Sequence, residues 1–361
     1  MKPELLELIC CPGCGGALLL SVEEECDGEV EAGVLACSGC EQQYPVKQGM
    51  PYLYADDERW APKAREAAGW VSLHQEMGIY EQGEDAVDLQ IPYYPEEPWT
   101  RVAPGFDMAL EALALDGTET ILDLGAGRGW AAKYFALRGC RAVALDVTDD
   151  ANVGLGRGRV LMRHAQTYFD RIIGDGEQLP FRPGSFDAVF CAAALHHTSE
   201  LALFLRNVAT VLRPGGVLCA INEPAISVLI DERTALKDSS DEIRHGINER
   251  RPDLLDYFAA LQEAGFEVET ASSPPLAAMS LEGLRAHARD KGLLWGWPAL
   301  RAPLRGLRQA SRYFGLRAYA LARRGNLRLD PPPTAQTERQ RIEQSLLLWL
   351  GGELFLLARK R

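Results

Sequence analysis

The feature that most constrains this chain is a mostly apolar run that stops at a cluster of glycines. Residues 121–124 read Ile-Leu-Asp-Leu, and Gly125, Gly127 and Gly129 follow at alternate positions. A helix-forming stretch, Ala131–Leu137, comes next. The pattern predicts a strand, a tight turn and a helix N-terminus. Glycine in such a turn lets a ligand approach backbone that side chains would otherwise block.

A second strand pattern ends in an acid. Ala142–Leu145 is apolar and Asp146 follows it, which places a carboxylate at a strand tip where it can accept from two ribose hydroxyls. We therefore expect a nucleoside-containing cofactor. Further strands are predicted at Arg171–Ile173, Ala188–Cys191 and Val217–Ile221, with helical patterns between them. This alternation predicts an α/β fold with a doubly wound, mostly parallel sheet.

Two classes of cofactor fit a glycine turn, and later segments distinguish them. A dinucleotide fingerprint would place glycine at position 130, where this chain has Trp130. Downstream come Gly174-Asp-Gly-Glu-Gln-Leu-Pro-Phe181, Ser185-Phe-Asp-Ala-Val-Phe190 and Leu212-Arg-Pro-Gly-Gly-Val-Leu218. In this order, residues 110–222 resemble the class I S-adenosylmethionine (SAM)-dependent methyltransferases, particularly the branch that includes quinone-biosynthesis methyltransferases.

The resemblance implies roles for residues at matching positions. It implies a seven-stranded sheet whose sixth and seventh strands are Phe266–Thr270 and Glu353–Arg359. It also implies a SAM site. Asp123, Gly125 and Gly127 would lie beside the methionine and ribose, Asp146 would bind the ribose, Asp175 the adenine amine, Gly176 and Glu177 the adenine edge, and Ala192 and Ala193 would flank the sulfonium.

Three histidines are candidate bases for methyl transfer. His196 and His197 follow the fourth predicted strand, and His245 lies in the connection after the fifth. Groups at the carboxyl ends of parallel strands face the ligand crevice. A pair such as His196 and His197 can also serve only to shape the site, and His245 can equally be a solvated loop residue.

The first forty residues contain two CxxC knuckles. Cys11-Pro-Gly-Cys14 and Cys37-Ser-Gly-Cys40 supply four thiolates at a spacing that suits structural zinc. A redox CxxC or incidental cysteines are the alternatives. We expect zinc bound by Cys11, Cys14, Cys37 and Cys40, with Cys10 and Cys26 left over.

The cysteine segment carries a second resemblance. After the second knuckle come Tyr44-Pro-Val46 and Gly49-Met-Pro-Tyr-Leu53. With the knuckles, these make residues 1–54 resemble the small zinc-ribbon activator subunit that partners RNA and protein methyltransferases. That subunit is a partner and not a catalyst. In this fused chain the ribbon is expected either to bind a partner or to act as a stability module.

These patterns predict five regions. They are a zinc ribbon at 1–54, an aromatic linker or cap at 55–110, a SAM-binding domain at 111–275, a basic helical insertion at 276–345 and the last strand at 346–361. Prolines at 92, 95, 98 and 104 predict that no long element crosses the linker. Its aromatics (Trp70, Tyr80, Tyr93, Tyr94 and Trp99) either cap the substrate or attach the linker to the domain surface.

Charge is distributed unevenly along the chain. Residues 276–328 hold eleven Lys or Arg and two acids, although the whole chain has a net charge of −13. The spacing in this insertion is roughly helical, with basic and apolar faces. Three interpretations stay open: a lid packed on the acidic body, a surface at 285–328 for anionic membranes or lipid-linked substrates, and a clamp for nucleic-acid phosphates.

Bulk properties narrow the function. No apolar run reaches the roughly 18 residues of a membrane span, and the N-terminus lacks a secretory signal, so a cytoplasmic protein is expected. The leading hypothesis is a SAM-dependent methyltransferase acting on a small or carrier- or lipid-linked metabolite. The alternatives are an rRNA or tRNA base methyltransferase and a non-catalytic SAM- and zinc-binding scaffold. The acidic net charge disfavours the RNA alternative.

Overall fold

A computed structural model describes residues 1–54, 58, 60–78, 85–291, 293 and 335–361, with the side chains of 85, 86 and 88 left out. Two parts of the sequence predictions lie outside the described residues. One is Tyr80, and the other is the part of the candidate membrane surface beyond residue 293. The strands are β1 (Leu18–Cys26), β2 (Glu29–Cys37), β3 (Gln43–Lys47), β4 (Met50–Leu53), β5 (Thr120–Leu124), β6 (Arg141–Asp146), β7 (Asp170–Gly174), β8 (Phe186–Ala192), β9 (Leu212–Ala225), β10 (Phe266–Ser272) and β11 (Gly352–Lys360).

Helices connect most of these strands. They are α1 (Trp60–Glu76), α2 (Asp85–Gln90), α3 (Trp99–Leu113), α4 (Trp130–Leu137), α5 (Gly158–Ala165), α6 (Leu201–Val211), α7 (Glu232–Ala235), α8 (Ser240–Arg244), α9 (Leu254–Glu263), α10 (Pro274–Ala277), α11 (Leu281–Asp290) and α12 (Glu338–Leu350). In the part of the chain that the structure describes, no helix combines the length and apolarity needed to span a bilayer.

The central sheet has the topology that the sequence predicts. Its strands run in the order β7-β6-β5-β8-β9-β11-β10, and β11 pairs antiparallel with both β9 and β10. The other neighbours in this group are parallel. The expected doubly wound, mostly parallel seven-stranded sheet is therefore confirmed. β5 pairs with both β6 and β8, so the direction of winding reverses there and a ligand crevice opens at the carboxyl ends of these strands.

Both faces of the sheet are covered, which explains its nearly continuous apolar strands. Leu122 of β5 belongs to one core cluster with Val189, and its neighbour Ile121 belongs to the opposite cluster with Phe190. Alternate residues therefore stabilise opposite layers. Each such side chain contributes roughly 1.5–3 kcal/mol when fully buried.

The ribbon continues the sheet. β1, β2, β3 and β4 form an antiparallel series, and β4 then pairs parallel with β7. In that register Tyr52 lies opposite Ile173 and Leu53 opposite Gly174. The ribbon thus covers the strand edge that β7 would otherwise present to solvent, where unpaired N–H and C=O groups invite association with other chains.

The prediction that prolines prevent long elements in 55–110 is wrong. α1 has 17 residues and α3 has 15, with Pro104 inside α3. Pro104 removes one backbone hydrogen bond from the second turn of α3. Phe106 and Ala109 of the same helix are 0% exposed, and the ring of Phe106 contacts those of Trp130 and Phe190. Burial of these side chains outweighs the cost of the proline.

Helix α1 packs closely against the connection that follows α8. A Cβ atom on Gly69 would lie 2.3 Å from the backbone oxygen of His245. We expect Gly69→Ala to lower the free energy of unfolding by about 1–3 kcal/mol, although alanine ordinarily favours a helix over glycine by about 1 kcal/mol. Urea denaturation measures the change. Ala68→Gly, at an exposed position of α1, is the control and should cost only its helix propensity. A more stable Gly69→Ala protein would contradict this close packing.

Candidate functional site

A cavity of about 350 Å³ lies where the carboxyl ends of β5, β6, β7 and β8 meet. This volume is within the range of small-ligand sites. Its wall is formed by the glycine turn after β5, the tip of β6, the segment after β7, the residues after β8, and side chains of α1. The lining residues used below are Lys63, Glu66, Trp70, His74, Trp99, Gly125, Gly127, Arg128, Trp130, Asp146, Gly176, Glu177, Ala192, Ala193 and His197.

The glycine turn has the shape that its sequence predicts. Gly125 and Gly127 have φ values of +72° and +53°, a region that L side chains rarely adopt. A Cβ on Gly125 would lie 2.7 Å from that of Ala194, whereas one on Gly127 would meet no atom within 4 Å. The turn therefore packs tightly on the segment after β8 and leaves open space beside Gly127, where a ligand can approach the backbone.

Trp130 occupies the position of the third glycine in a dinucleotide fingerprint. It begins α4, is 8% exposed, and its ring packs edge-on against Phe106 and Phe190. In a dinucleotide-binding fold the third glycine allows close packing of the helix on the strand, and an indole stands in its place here. The turn therefore departs from the dinucleotide fingerprint at its third position.

Asp146 joins the tip of β6 to the glycine turn. Its Oδ2 accepts from the Gly127 amide at 2.8 Å, and its Oδ1 accepts from the Thr148 amide at 2.9 Å. Burial raises the pKa of this carboxyl, and the amide donors oppose that shift. The carboxylate lines the cavity, so it is well placed to accept from hydroxyl groups of a ligand.

Asp123 and Asp175 are placed differently from Asp146. Asp123 is 2% exposed, accepts from the Ala132 amide at 2.9 Å and supports the turn from inside the core. Burial raises its pKa to about 7. Asp175 accepts from the Glu177 amide at 2.8 Å and shapes the segment after β7, where Gly176 and Glu177 form the cavity wall. Burial raises the pKa of Asp175 as well.

Glu177 links the body of the domain to helix α1. Its Oε1 accepts from Lys63 Nζ at 3.0 Å and from the Ser199 amide at 2.8 Å. Burial alone would raise the pKa of Glu177, but the Ser199 amide and the Lys63 charge outweigh it and lower the pKa. The glutamate is therefore ionised at neutral pH.

His197 lines the cavity with a largely buried imidazole ring. Its Nδ1 lies 2.7 Å from the backbone oxygen of Asn248. Because a carbonyl oxygen only accepts, Nδ1 carries the proton and Nε2 keeps its lone pair. Burial lowers the pKa of His197 well below its usual range, and the neighbouring His196 lowers it further. His197 is thus neutral at neutral pH, with the Nε2 lone pair free of a proton.

His196 has a supporting position behind His197. Its Nδ1 lies 2.8 Å from Glu223, which is 0% exposed and also accepts from the Ala194 and Leu195 amides. This network holds the turn from 194 to 197 in place. His245 is not brought to the cavity, because its Nε2 lies 2.9 Å from Glu76 at the C-terminal end of α1.

His196, His197 and Glu249 also place possible ligand atoms within 4.8 Å of one another. The carboxylate of Glu249, however, already lies 2.9 Å from the guanidinium of Arg251. The Nδ1 atoms of both histidines face acceptors as well. We therefore interpret these residues as a buried ion-pair and hydrogen-bond network.

Sequence reasoning did not single out Lys63, Glu66 and His74, all of which line the cavity from α1. The signal was present as a helical spacing of apolar and charged residues. The prolines farther along the linker obscured that signal. Of the aromatics in this region, Trp70 and Trp99 line the cavity.

The four predicted zinc ligands converge in the ribbon. Cys11 and Cys40 place their Sγ atoms 3.6 Å apart, Cys14 and Cys37 place theirs 3.4 Å apart, and all four lie within 4.8 Å of one another. A tetrahedral zinc with bonds of about 2.3 Å needs sulfur atoms about 3.8 Å apart. The donor set and spacing fit structural zinc.

The fold and the cavity define a class I methyltransferase. A family model described as a methyltransferase domain matches residues 122–220, and one described as a Trm112p-like protein matches residues 2–49. A 27-O-demethylrifamycin SV methyltransferase from Amycolatopsis mediterranei is 30% identical over 54% of this chain and 72% of its own. The chain belongs to the SAM-dependent methyltransferase family.

Other curated relatives match a smaller part of this chain. An uncharacterized methyltransferase from Synechocystis is 36% identical over 32% of this chain and 52% of its own, so the chain spans about half the length of such curated relatives. A demethylmenaquinone methyltransferase from Mycolicibacterium gilvum is 34% identical over 32% and 47%. A solved complex of the Haloferax volcanii Trm112 activator with a methyltransferase covers 77% of this chain and 94% of its own, at 17% identity and a TM-score of 0.41, a likeness that does not bear on function.

Replacing Asp146 with alanine is expected to weaken binding of S-adenosylhomocysteine at least tenfold. The change removes the carboxylate from the cavity and frees the Gly127 amide that it holds. Isothermal calorimetry measures the affinity. Asp116→Ala, in the exposed turn before β5, is the control and should bind as the wild type does. Unchanged affinity of the Asp146 variant would remove this residue from the site.

Proposed function

We propose that this protein transfers the methyl group of SAM to an acidic ring hydroxyl, or to the adjoining ring carbon, of a small or carrier-linked metabolite. The observation that carries the proposal is His197, whose Nε2 is the basic nitrogen of a neutral, buried imidazole in the cavity wall. Such a group is suited to take a proton from a hydroxyl during methyl transfer.

The cavity suits the cofactor in shape and chemistry. SAM supplies a methyl group on a cationic sulfur. We assign the ribose hydroxyls to Asp146, the adenine to Asp175, Gly176 and Glu177, and the sulfonium to the neighbourhood of Ala192 and Ala193. Gly125 and Gly127 would form the turn beside the methionine and ribose, and Asp123 would support it from the core. The open space beside Gly127 and the position of Asp146 support this assignment.

His197 would act as the base. For transfer to oxygen, the hydroxyl proton would pass to Nε2 as the oxygen bonds to the methyl carbon, and the electron pair of the broken carbon–sulfur bond would stay on sulfur. For transfer to the adjoining ring carbon, the hydroxyl proton would again pass to Nε2, and the proton on that carbon would then move to the ring oxygen and restore the hydroxyl. The Asn248 carbonyl then stabilises the imidazolium through Nδ1. His196 and Glu223 would position the turn and supply nearby negative charge. Alignment of the acceptor with the methyl group would supply the rest of the rate acceleration.

A flat, small acceptor is favoured by the walls of the cavity. Trp70 and Trp99 line it together with Trp130, and α1 lies across it. Indole faces bind rings well. Relatives named as demethylmenaquinone and 27-O-demethylrifamycin SV methyltransferases support a small-molecule acceptor over a nucleic acid.

The ribbon would bind zinc and would stabilise the methyltransferase domain of its own chain. Its β4 already pairs with β7, which supports a structural role at this edge of the sheet. Most of the segment that could contact a membrane, the part beyond residue 293, lies outside the described residues, so that interaction stays an expectation from the sequence.

The test uses SAM labelled in its methyl group, with 1,4-dihydroxynaphthalene and catechol as acceptor probes and total RNA as a competing acceptor. We expect label in a solvent-extractable product of a ring hydroxyl probe. Product analysis would then assign the methyl to oxygen or carbon. Transfer of label to RNA and to neither ring compound would overturn the proposal.

A further inference from the structure

One face of helix α1 lines the cavity along most of its length. Lys63, Glu66, Trp70 and His74 recur at spacings of three and four residues, which places them on the same side of a helix. The family models match residues 2–49 and 122–220, so neither extends to this helix.

The first half of this face is charged and lies at the end of the cavity assigned to the nucleoside. Lys63 Nζ lies 3.0 Å from Glu177 of the body and 3.5 Å from Glu66 of its own helix. Glu66 is 6% exposed. Burial raises its pKa to about 7, Lys63 opposes that shift, and the charges of Asp146 and Glu177 add to it. Glu66 lines the same cavity as Asp146, the carboxylate that we assign to the ribose.

A carboxylate is costly to bury unless donors surround it. Here Lys63 is the close cation, and it is shared between Glu66 and Glu177. The hydroxyl and amino groups of a nucleoside can donate hydrogen bonds to the Glu66 carboxylate. The charged half of the helix is thus chemically matched to the cofactor rather than to solvent.

The second half of the face is aromatic and lies beside the proposed base. The ring of Trp70 meets that of His197 edge-on, with 5.2 Å between centroids. His74 Nδ1 lies 2.7 Å from the Trp70 carbonyl oxygen. The two halves of one rigid helix therefore face the two ends of the site.

We infer that α1 is a second cofactor-binding element, in which Glu66 accepts from nucleoside hydroxyls and Lys63 fastens the helix to Glu177, while Trp70 roofs the acceptor. The inference rests on the proposed SAM site. Binding of the cofactor would then hold α1 in the position that encloses the acceptor. The cofactor would therefore bind before the acceptor.

Calorimetry with S-adenosylhomocysteine and with 5′-methylthioadenosine tests the charged half, because the second ligand keeps the nucleoside and lacks the amino-acid portion. We expect Glu66→Gln and Lys63→Met each to weaken both ligands about tenfold. Arg65→Met removes a charge from the exposed face of α1 and should change neither affinity by more than twofold. Trp70→Leu should leave 5′-methylthioadenosine binding within twofold of wild type. Thermal denaturation without ligand checks that each variant is folded.

Unaltered affinity of both the Glu66 and Lys63 variants would overturn the inference while leaving the SAM site in place. Equal losses in Arg65→Met would also overturn it, because the effect would then come from general helix charge. A wild-type protein that binds neither ligand would instead remove the proposed function itself.

Discussion

Replacing His197 with alanine is expected to lower kcat for a ring hydroxyl acceptor by about 100- to 1,000-fold, the usual contribution of a positioned general base. Affinity for S-adenosylhomocysteine should stay within twofold, because the ring acts on the acceptor proton. Methyl transfer to 1,4-dihydroxynaphthalene from labelled SAM measures the rate. The matched control is His164→Ala on the exposed surface of α5, which should retain full activity.

Two further measurements separate a base from a residue that only shapes the cavity. Added imidazole should restore part of the activity of His197→Ala, since it replaces the lost proton acceptor. In the wild type, the lowered pKa of His197 should keep the base unprotonated at neutral pH. Activity should therefore decline only as the pH falls below the ordinary histidine range near about 6.5. Full activity of His197→Ala would exclude this residue as the base.

His196 and His245 should behave differently from His197. His196 contacts Glu223 and stands behind the base, so its loss should act through the turn from 194 to 197. His245 contacts Glu76 at the end of α1, away from the cavity. The sequence placed His196 and His197 after the fourth strand and His245 in the connection after the fifth. Only the hydrogen-bond partners in the fold distinguish the three.

The body of the fold was predictable because its signals are local. The glycine turn needs positive φ at Gly125 and Gly127, and Asp146 follows directly on an apolar strand. Each motif therefore specifies its own backbone, and the order of motifs specifies the sheet.

Helix α1 of the linker was harder to predict because its position depends on contacts far along the chain. Gly69 packs on the backbone of residue 245, and Lys63 reaches Glu177. Nothing in the linker sequence indicates these partners. The pairing of β4 with β7 has the same character, since two short strands meet through two residue pairs that no local pattern specifies.

Because β4 of the ribbon pairs with β7, loss of zinc from the ribbon is expected to have a large effect on the protein. Cys37→Ser should lose the metal and lower the free energy of unfolding by at least about 3 kcal/mol, because binding of structural zinc is part of the folding energy of such a module. Metal analysis should find one zinc per wild-type chain and much less in the variant. The control is Cys26→Ser, at an exposed cysteine outside the cluster, which should keep both zinc and stability.

The effect should also reach the cofactor. Leu53 pairs with Gly174, and Gly176 and Glu177, which follow closely, form the wall assigned to adenine. Loss of the ribbon would therefore free the β7 edge and loosen that wall. We expect chelation of zinc to weaken binding of S-adenosylhomocysteine together with thermal stability. If chelation removed the metal and left both unchanged, the ribbon would fold without zinc and the cysteines would need another role.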